Sequence, residues 1–116
     1  MGYHFNPLVN NQFPDVKERY ETINPATGEV IGTVPECASV VEEAVAGAKA
    51  AQKEWAKVPL FGRIAKVGEI ATLLEKNGQE LAELDILDTG SPRHVMEADT
   101  RFAVALLRFQ MGLAPQ

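Results

Sequence analysis

The stretch YETINPATGEVIGTV, residues 20–34, decides how the beginning of this chain folds. Two runs rich in β-branched and aromatic residues, 20–24 and 29–34, flank a turn-forming cluster at residues 25–28. Proline presets the backbone of a turn, and glycine supplies the left-handed conformation that many reversals require. The pattern therefore predicts two strands joined by a tight reversal, which is a β-hairpin.

A helix is predicted directly after the hairpin and is expected to end before Pro59. Ser39 followed by Glu42 has the spacing of a capping box, in which two side chains satisfy backbone donors at a helix start. Apolar residues then recur at helical spacings on one face: Val41, Ala44, Val45, Ala48 and Trp55. This periodicity is typical of an amphipathic helix.

Three further helices are predicted from the remaining sequence. The second spans residues 60–76 and ends at Asn77 and Gly78, a pair typical of a left-handed helix stop. The third spans residues 79–87 and is broken by the segment 89–92. The fourth spans residues 92–111, with Pro92 in its first turn, where a missing N–H is harmless, and with Gly112 as its stop.

Residues 1–19 are predicted to form an irregular N-terminal arm with a short strand at Leu8 and Val9. The predicted fold is thus an N-terminal β-hairpin followed by four α-helices, and it is mostly helical. Two strands do not form a stable sheet alone in water. Two arrangements stay open: the helices bundle among themselves with the hairpin laid over them, or strands and helices both dock on further protein.

The composition excludes several classes of function. The 116 residues are 46% hydrophobic and 23% charged with a formal net charge of −5, as in an ordinary globular domain. Lysine and arginine form no cluster that could follow a row of phosphates, so nucleic acid is not an expected partner. No apolar run is long enough to cross a bilayer, and the first residues lack the features of a signal peptide. We expect a cytoplasmic protein without a membrane partner.

Cys37 is the only cysteine in the sequence. It lies just before a predicted helix start, where backbone dipoles stabilise a thiolate. A nucleophilic cysteine also requires a positioned base, and the two histidines, His4 and His94, are far from it in sequence. An inert turn cysteine is therefore the favoured interpretation.

Two groups on the later helices carry chemically active residue types. His94 and Glu97 have the spacing of two metal ligands on one helical face, but no second pair completes a site. Glu83, Asp85 and Asp88 are acidic neighbours without a cleft that would give them unequal environments, so solvated positions are favoured for the first two. The sequence contains no glycine-rich phosphate-binding motif.

Several segments resemble the aldehyde dehydrogenase superfamily. Residues 22–32, TINPATGEVIG, resemble the N-P-A-T-G-E turn near the start of that family, and an alanine-rich helix follows at the familiar distance. Arg63 resembles the arginine of its P-x-x-x-R stretch. Residues 80–92 resemble its E-L-A-x-L-E-x-L-D-x-G-K-P segment, with Ser91 in place of the lysine, and residues 107–112 resemble its L-R-Y-Y-A-G. These motifs occur in one order across residues 20–114.

The resemblance implies an α/β parent of the aldehyde dehydrogenase type, several times longer than this chain. Residues 20–116 would be the N-terminal part of its cofactor-binding domain, ending before the Rossmann strands. Members of the family oxidise an aldehyde to a carboxylic acid with NAD or NADP: a cysteine attacks, hydride passes to the nicotinamide, and a glutamate-activated water hydrolyses the thioester. All these groups are expected after Gln116, and Cys37 does not align with the nucleophile.

The resemblance implies no catalytic and no cofactor-binding residues within this chain, which is therefore expected to be inactive alone. Its implied partners are the remainder of the subunit and further copies in a homo-oligomer.

One site is implied within the chain itself. Some family members bind a structural monovalent cation through backbone oxygens just before the N-P-x-T-G turn and through the aspartate of the L-D-x-G segment. The corresponding residues here are Thr22, Ile23 and Asp88. A competing hypothesis is a non-catalytic, truncated helical module that binds a partner or a full-length homologue through its apolar faces.

Overall fold

The computed structural model describes residues 2–115, which form two compact units that meet in sequence between Lys57 and Val58. The first unit contains the elements β1 (Tyr3–His4), β2 (Arg19–Ile23), β3 (Val30–Pro35), a 3-10 turn (Cys37–Val40) and α1 (Val41–Trp55). The second contains α2 (Leu60–Lys76), α3 (Gly78–Thr89) and α4 (Arg93–Leu113). The predicted hairpin and the four predicted helices are confirmed.

The hairpin reverses through side-chain and backbone hydrogen bonds of Asn24. β2 and β3 pair antiparallel on either side of it. The Asn24 side-chain oxygen accepts from the backbone N–H of Ala26 at 2.9 Å, and the N–H of Gly28 donates to the Asn24 carbonyl at 2.7 Å. Gly28 has a φ of 75°, in the left-handed region that favours glycine. The predicted turn chemistry therefore operates as expected.

A third strand, β1, extends this sheet, and the sequence gives no sign of it. It pairs parallel with β3, so that the strand order is β1-β3-β2, with Tyr3 opposite Gly32. Arg19 secures the pairing: its guanidinium donates to the carbonyl oxygens of Phe5 and Thr33 and to the Thr33 hydroxyl. Long-range contacts, and not a local pattern, therefore hold this strand.

The rest of the arm folds against α1. The strand expected at Leu8 and Val9 is wrong, since Val9 forms an isolated bridge to Gln12 around two left-handed asparagines. Val9 itself is 7% exposed, and the Asn10 amide donates to the Glu43 carboxylate at 3.4 Å. A Cβ at Gly47 would lie 1.8 Å from the Asn10 side-chain oxygen. The missing side chain of Gly47 is thus what allows the arm to lie on α1.

The predicted capping box is wrong. Ser39 lies inside the 3-10 turn, and α1 begins at Val41 without a side-chain cap from the preceding Val40 within the described residues. Glu36 caps the 3-10 turn instead, because its carboxylate accepts from the Ala38 N–H at 3.3 Å. A short 3-10 turn therefore precedes the α-helix, and the side-chain cap lies at the start of that turn, upstream of the predicted Ser39.

In the second unit, α4 packs against both α2 and α3. The buried side chains there are small: Ala71 of α2, Ala82 of α3 and Val104 of α4, at 1%, 1% and 6% exposure. Gly78 of α3 also lies close to α4, since a Cβ at Gly78 would lie 3.0 Å from the Thr100 methyl group. The three helices therefore approach closely through small side chains.

Two predicted helix stops are wrong. Asn77 has φ −104° and ψ 10°, so it is not left-handed, and Gly78 already belongs to α3. Gly112 lies inside α4, which continues to Leu113. The left-handed glycine of this unit is Gly90, with φ 67°, whose N–H donates to the Ile86 carbonyl and ends α3. No helix within residues 2–115 is long and apolar enough to cross a membrane.

Candidate functional site

The residues implied as cation ligands belong to different units. Thr22 and Ile23 are the last two residues of β2, opposite Gly32 and Val30, and the strand register shifts between them. Asp88 lies in the last turn of α3, two residues before Gly90. Within the described residues no three His, Cys, Asp or Glu side chains form a metal cluster. The implied site uses two backbone oxygens and one carboxylate, so it stays a prediction.

Cys37 begins the 3-10 turn and is partly buried. Its Sγ donates a hydrogen bond to the Pro35 carbonyl oxygen at 3.4 Å. A thiol can make this bond and a thiolate cannot, because two electron-rich atoms would then face each other. The side chain of Cys37 is thus turned towards the backbone at the end of β3.

The charged groups at the start of α4 form ion pairs. Arg93 holds Glu83 of α3 through both terminal guanidinium nitrogens, with Nη2 3.0 Å from Oε2, and its Nη1 lies 3.9 Å from the Glu97 carboxylate. The hydrogen bond from Arg93 lowers the pKa of Glu83, and the same bond raises the pKa of Arg93. Two of the acidic residues considered as chemical candidates are thus bound to an arginine.

Arg63 lies in the first turn of α2. Its Nε is buried and has no hydrogen-bond partner among residues 2–115. A buried donor without a partner costs about 1–3 kcal/mol, so folded proteins rarely leave one unsatisfied. This atom is therefore expected to donate to an ordered water or to a group outside the described residues.

The outward face of α4 is apolar and exposed. At spacings of seven, four, three and four, it presents residues that are 36%, 67%, 45%, 62% and 44% exposed: Val95, Phe102, Leu106, Phe109 and Leu113. On a wheel of 3.6 residues per turn, these positions lie opposite buried Val104. A helix that is apolar on opposite sides is typical of one covered on both.

A groove of about 650 Å³ runs along the second unit on another side of α4. The polar side chains that line it come from all three helices of the unit: Glu75, Gln79, Glu97, Thr100, Arg101 and Arg108. Val104 and Ala105 add apolar surface. Sequence reasoning missed this groove, because it depends on how residues far apart in the chain come together.

Comparisons with known proteins all indicate one family. The model of the aldehyde dehydrogenase family matches residues 13–116. A betaine aldehyde dehydrogenase of Rhizobium etli is 37% identical over 97 residues, which is 82% of this chain and 20% of that protein. An aldehyde dehydrogenase of Talaromyces stipitatus is 33% identical over 105 residues, 90% of this chain and 20% of its own length.

Solved structures agree. An NADP-dependent glyceraldehyde-3-phosphate dehydrogenase of Bacillus halodurans, complexed with NADP, superposes with a TM-score of 0.87 at 25% identity, over 95% of this chain and 24% of that one. The NAD⁺ complex of an aldehyde dehydrogenase of Bacillus cereus gives a TM-score of 0.87 at 29% identity, over the same 95% and 24%. The chain thus spans about a fifth of the curated relatives' length and about a quarter of these structures.

Proposed function

This chain belongs to the aldehyde dehydrogenase family, and we propose that it forms the N-terminal structural segment of a subunit that oxidises an aldehyde to a carboxylic acid with NAD or NADP. The similar structures include complexes with NADP and with NAD⁺, which supports a nicotinamide cofactor for the parent. The chain contains no G-x-G-x-x-G motif that would bind a dinucleotide phosphate. The proposed role of this segment is therefore structural.

The observation that carries the proposal is the pair of opposite apolar faces of α4. Phe102 and Phe109 are 67% and 62% exposed. Fully burying a phenylalanine contributes about 1.5–3 kcal/mol, and this contribution is largely lost while the ring stays in water. Covering the outward face with further protein of the same subunit would recover it.

The structural cation site at Thr22, Ile23 and Asp88 belongs to this proposal. A carboxylate and backbone carbonyl oxygens are hard ligands suited to such cations. Titration of the full subunit with potassium or sodium chloride should raise its unfolding temperature more in the wild type than in Asp88→Asn. Equal shifts in both proteins would remove this part of the proposal.

An activity assay tests the assignment of roles. The purified chain, given an aldehyde and NAD or NADP, should produce no absorbance of reduced nicotinamide, and calorimetry should detect no tight dinucleotide binding. The matched control is Cys37→Ala, which should behave identically because the thiol is held by Pro35. Turnover that disappears in Cys37→Ala, or tight binding of either dinucleotide, would contradict a purely structural role.

The alternative is a non-catalytic helical module that binds a partner or a full-length homologue. The same exposed face of α4 would serve that role. The coding sequence after Gln116 separates the two hypotheses: an open frame that continues into a Rossmann segment supports the subunit segment, and a stop codon supports the module.

A further inference from the structure

The groove in the second unit has charged residues that are paired and one that is not. Arg108 holds Glu75 through both terminal guanidinium nitrogens, with Nη2 2.5 Å from Oε2. Glu97 lies 3.9 Å from Arg93, which also holds Glu83. Both carboxylates that line the groove therefore already have an arginine beside them.

Arg101 is different. It lines the groove, yet its guanidinium makes no hydrogen bond or ion pair with any other residue in the part of the chain that the structure describes. Glu97 is four residues earlier on α4 and is the usual helical partner for such an arginine. It leans towards Arg93 instead. One full positive charge thus faces the groove without an internal counter-ion.

The surroundings of Arg101 are amphipathic. Val104 and Ala105 add apolar surface on α4, and Gln79 of α3 adds an amide that can donate a hydrogen bond. The Thr100 hydroxyl is occupied as a donor, since it bonds to the Met96 carbonyl at 3.0 Å. The volume of about 650 Å³ lies in the range of small-molecule sites.

We propose that this groove binds a carboxylate carried on a short apolar body, with Arg101 holding the carboxylate. A guanidinium presents two parallel N–H groups that match the two oxygens of a carboxylate, and Gln79 can donate to a remaining lone pair. The apolar body would lie on Val104 and Ala105. The ligand is either a free aliphatic acid or an acidic side chain of another polypeptide, because both present the same chemistry to the groove. This site does not depend on the proposed enzymatic role of the parent.

The test is a titration of the ¹⁵N-labelled chain with hexanoate, followed by amide chemical shifts. Saturable shifts should be confined to the groove and include the amides of Gln79, Arg101 and Ala105. Arg101→Gln should weaken the apparent affinity at least about tenfold, as expected for a lost charge-assisted pair. Lys66→Gln is the matched control, because it removes one exposed positive charge of α2 that is paired with Glu69 outside the groove. It should leave binding unchanged.

Arg101→Lys keeps the charge but loses the two parallel N–H donors, so it should bind hexanoate with intermediate affinity. If Arg101→Gln fails to fold, the affinity of Arg101→Lys tests the role of Arg101. N-acetylglutamate amide is titrated in parallel: tighter binding than hexanoate identifies an acidic side chain as the ligand, and weaker binding identifies a free acid. Hexylammonium, which reverses the ligand charge, should not saturate. Shifts that stay linear with hexanoate, that spread over the whole surface, or that are equal in wild type and both Arg101 variants would overturn the proposal.

Discussion

Two glycine-to-alanine substitutions should have opposite effects, because the new methyl group meets different neighbours. At Gly32 of β3, a Cβ would lie 2.2 Å from the Tyr3 carbonyl oxygen and 2.9 Å from its carbon. At Gly68 of α2, it would lie 2.9 Å from the terminal methyl of Met111. The backbone of a paired strand cannot move without breaking the pairing, whereas a thioether tip rotates away.

The magnitudes follow from what each substitution displaces. Gly32→Ala must separate β1 from β3, which breaks the bond of 3.2 Å from the Phe5 N–H to the Thr33 carbonyl and disturbs the Arg19 contacts to the same segment. At about 1 kcal/mol for each hydrogen bond, the loss is about 2 kcal/mol. Gly68→Ala instead removes the low helix propensity of glycine, which costs about 1 kcal/mol relative to alanine. The Met111 side chain must move to make room for the new methyl group. The expected effect of Gly68→Ala lies between zero and about 1 kcal/mol of stabilisation.

Thermal unfolding followed by circular dichroism measures both changes, and a loss of 1 kcal/mol lowers the Tm of a domain of this size by roughly 4–8 °C. Hydrogen exchange at the Phe5 amide reports on the pairing of β1 directly, and it should accelerate in Gly32→Ala only. If Gly32→Ala keeps both the wild-type Tm and the protection of Phe5, or if Gly68→Ala proves the more damaging of the two, the packing argument is refuted.

Three further substitutions test individual contacts. Arg19→Lys retains the charge but not the planar fork, so hydrogen exchange at Phe5 should accelerate while helix content stays unchanged. Glu83→Gln should lower the Tm at neutral pH, because Arg93 lowers the pKa of that carboxyl in the folded state. This contribution to stability is present above the unfolded pKa and is lost as the pH falls through the folded pKa, so the Tm values of the wild type and Glu83→Gln should converge in acid. Glu69→Gln, at an exposed pair, should differ less from the wild type at every pH. Gly90→Ala should destabilise α3 by about 1 kcal/mol in urea unfolding, since φ at this position is 67° and a Cβ is strained there. An unchanged midpoint would show that the left-handed cap is not maintained in solution.

Strong local patterns allowed much of the fold to be predicted from the sequence. The bounds of α2, Leu60–Lys76, match the prediction, because Pro59 fixes its start and a clear helical period runs through it. The reversal at residues 25–28 also lies where it was predicted, and the structure adds that Gly28 is left-handed. A glycine without a proline nearby is a weaker signal of a helix end. Gly78 and Gly112 lie inside helices, where a glycine can serve a close helix contact or can simply be tolerated.

Features that depend on distant residues could not be predicted. β1 has two residues, too few for any period, and the guanidinium of Arg19 holds it from another strand. The groove containing Arg101 exists because α2, α3 and α4 pack side by side. The cation ligands Thr22, Ile23 and Asp88 rest on family resemblance, and they stay a prediction because they lie in separate units.

Sedimentation velocity of the purified chain, compared with its Phe102→Gln, Phe109→Gln double variant, tests most directly whether the outward face of α4 is made to be covered by further protein. These rings are 67% and 62% exposed, so the wild type should associate as its concentration rises, and the double variant should remain monomeric with unchanged helix content. A wild type that sediments as a single monomer at every concentration, indistinguishable from the variant, would contradict the account.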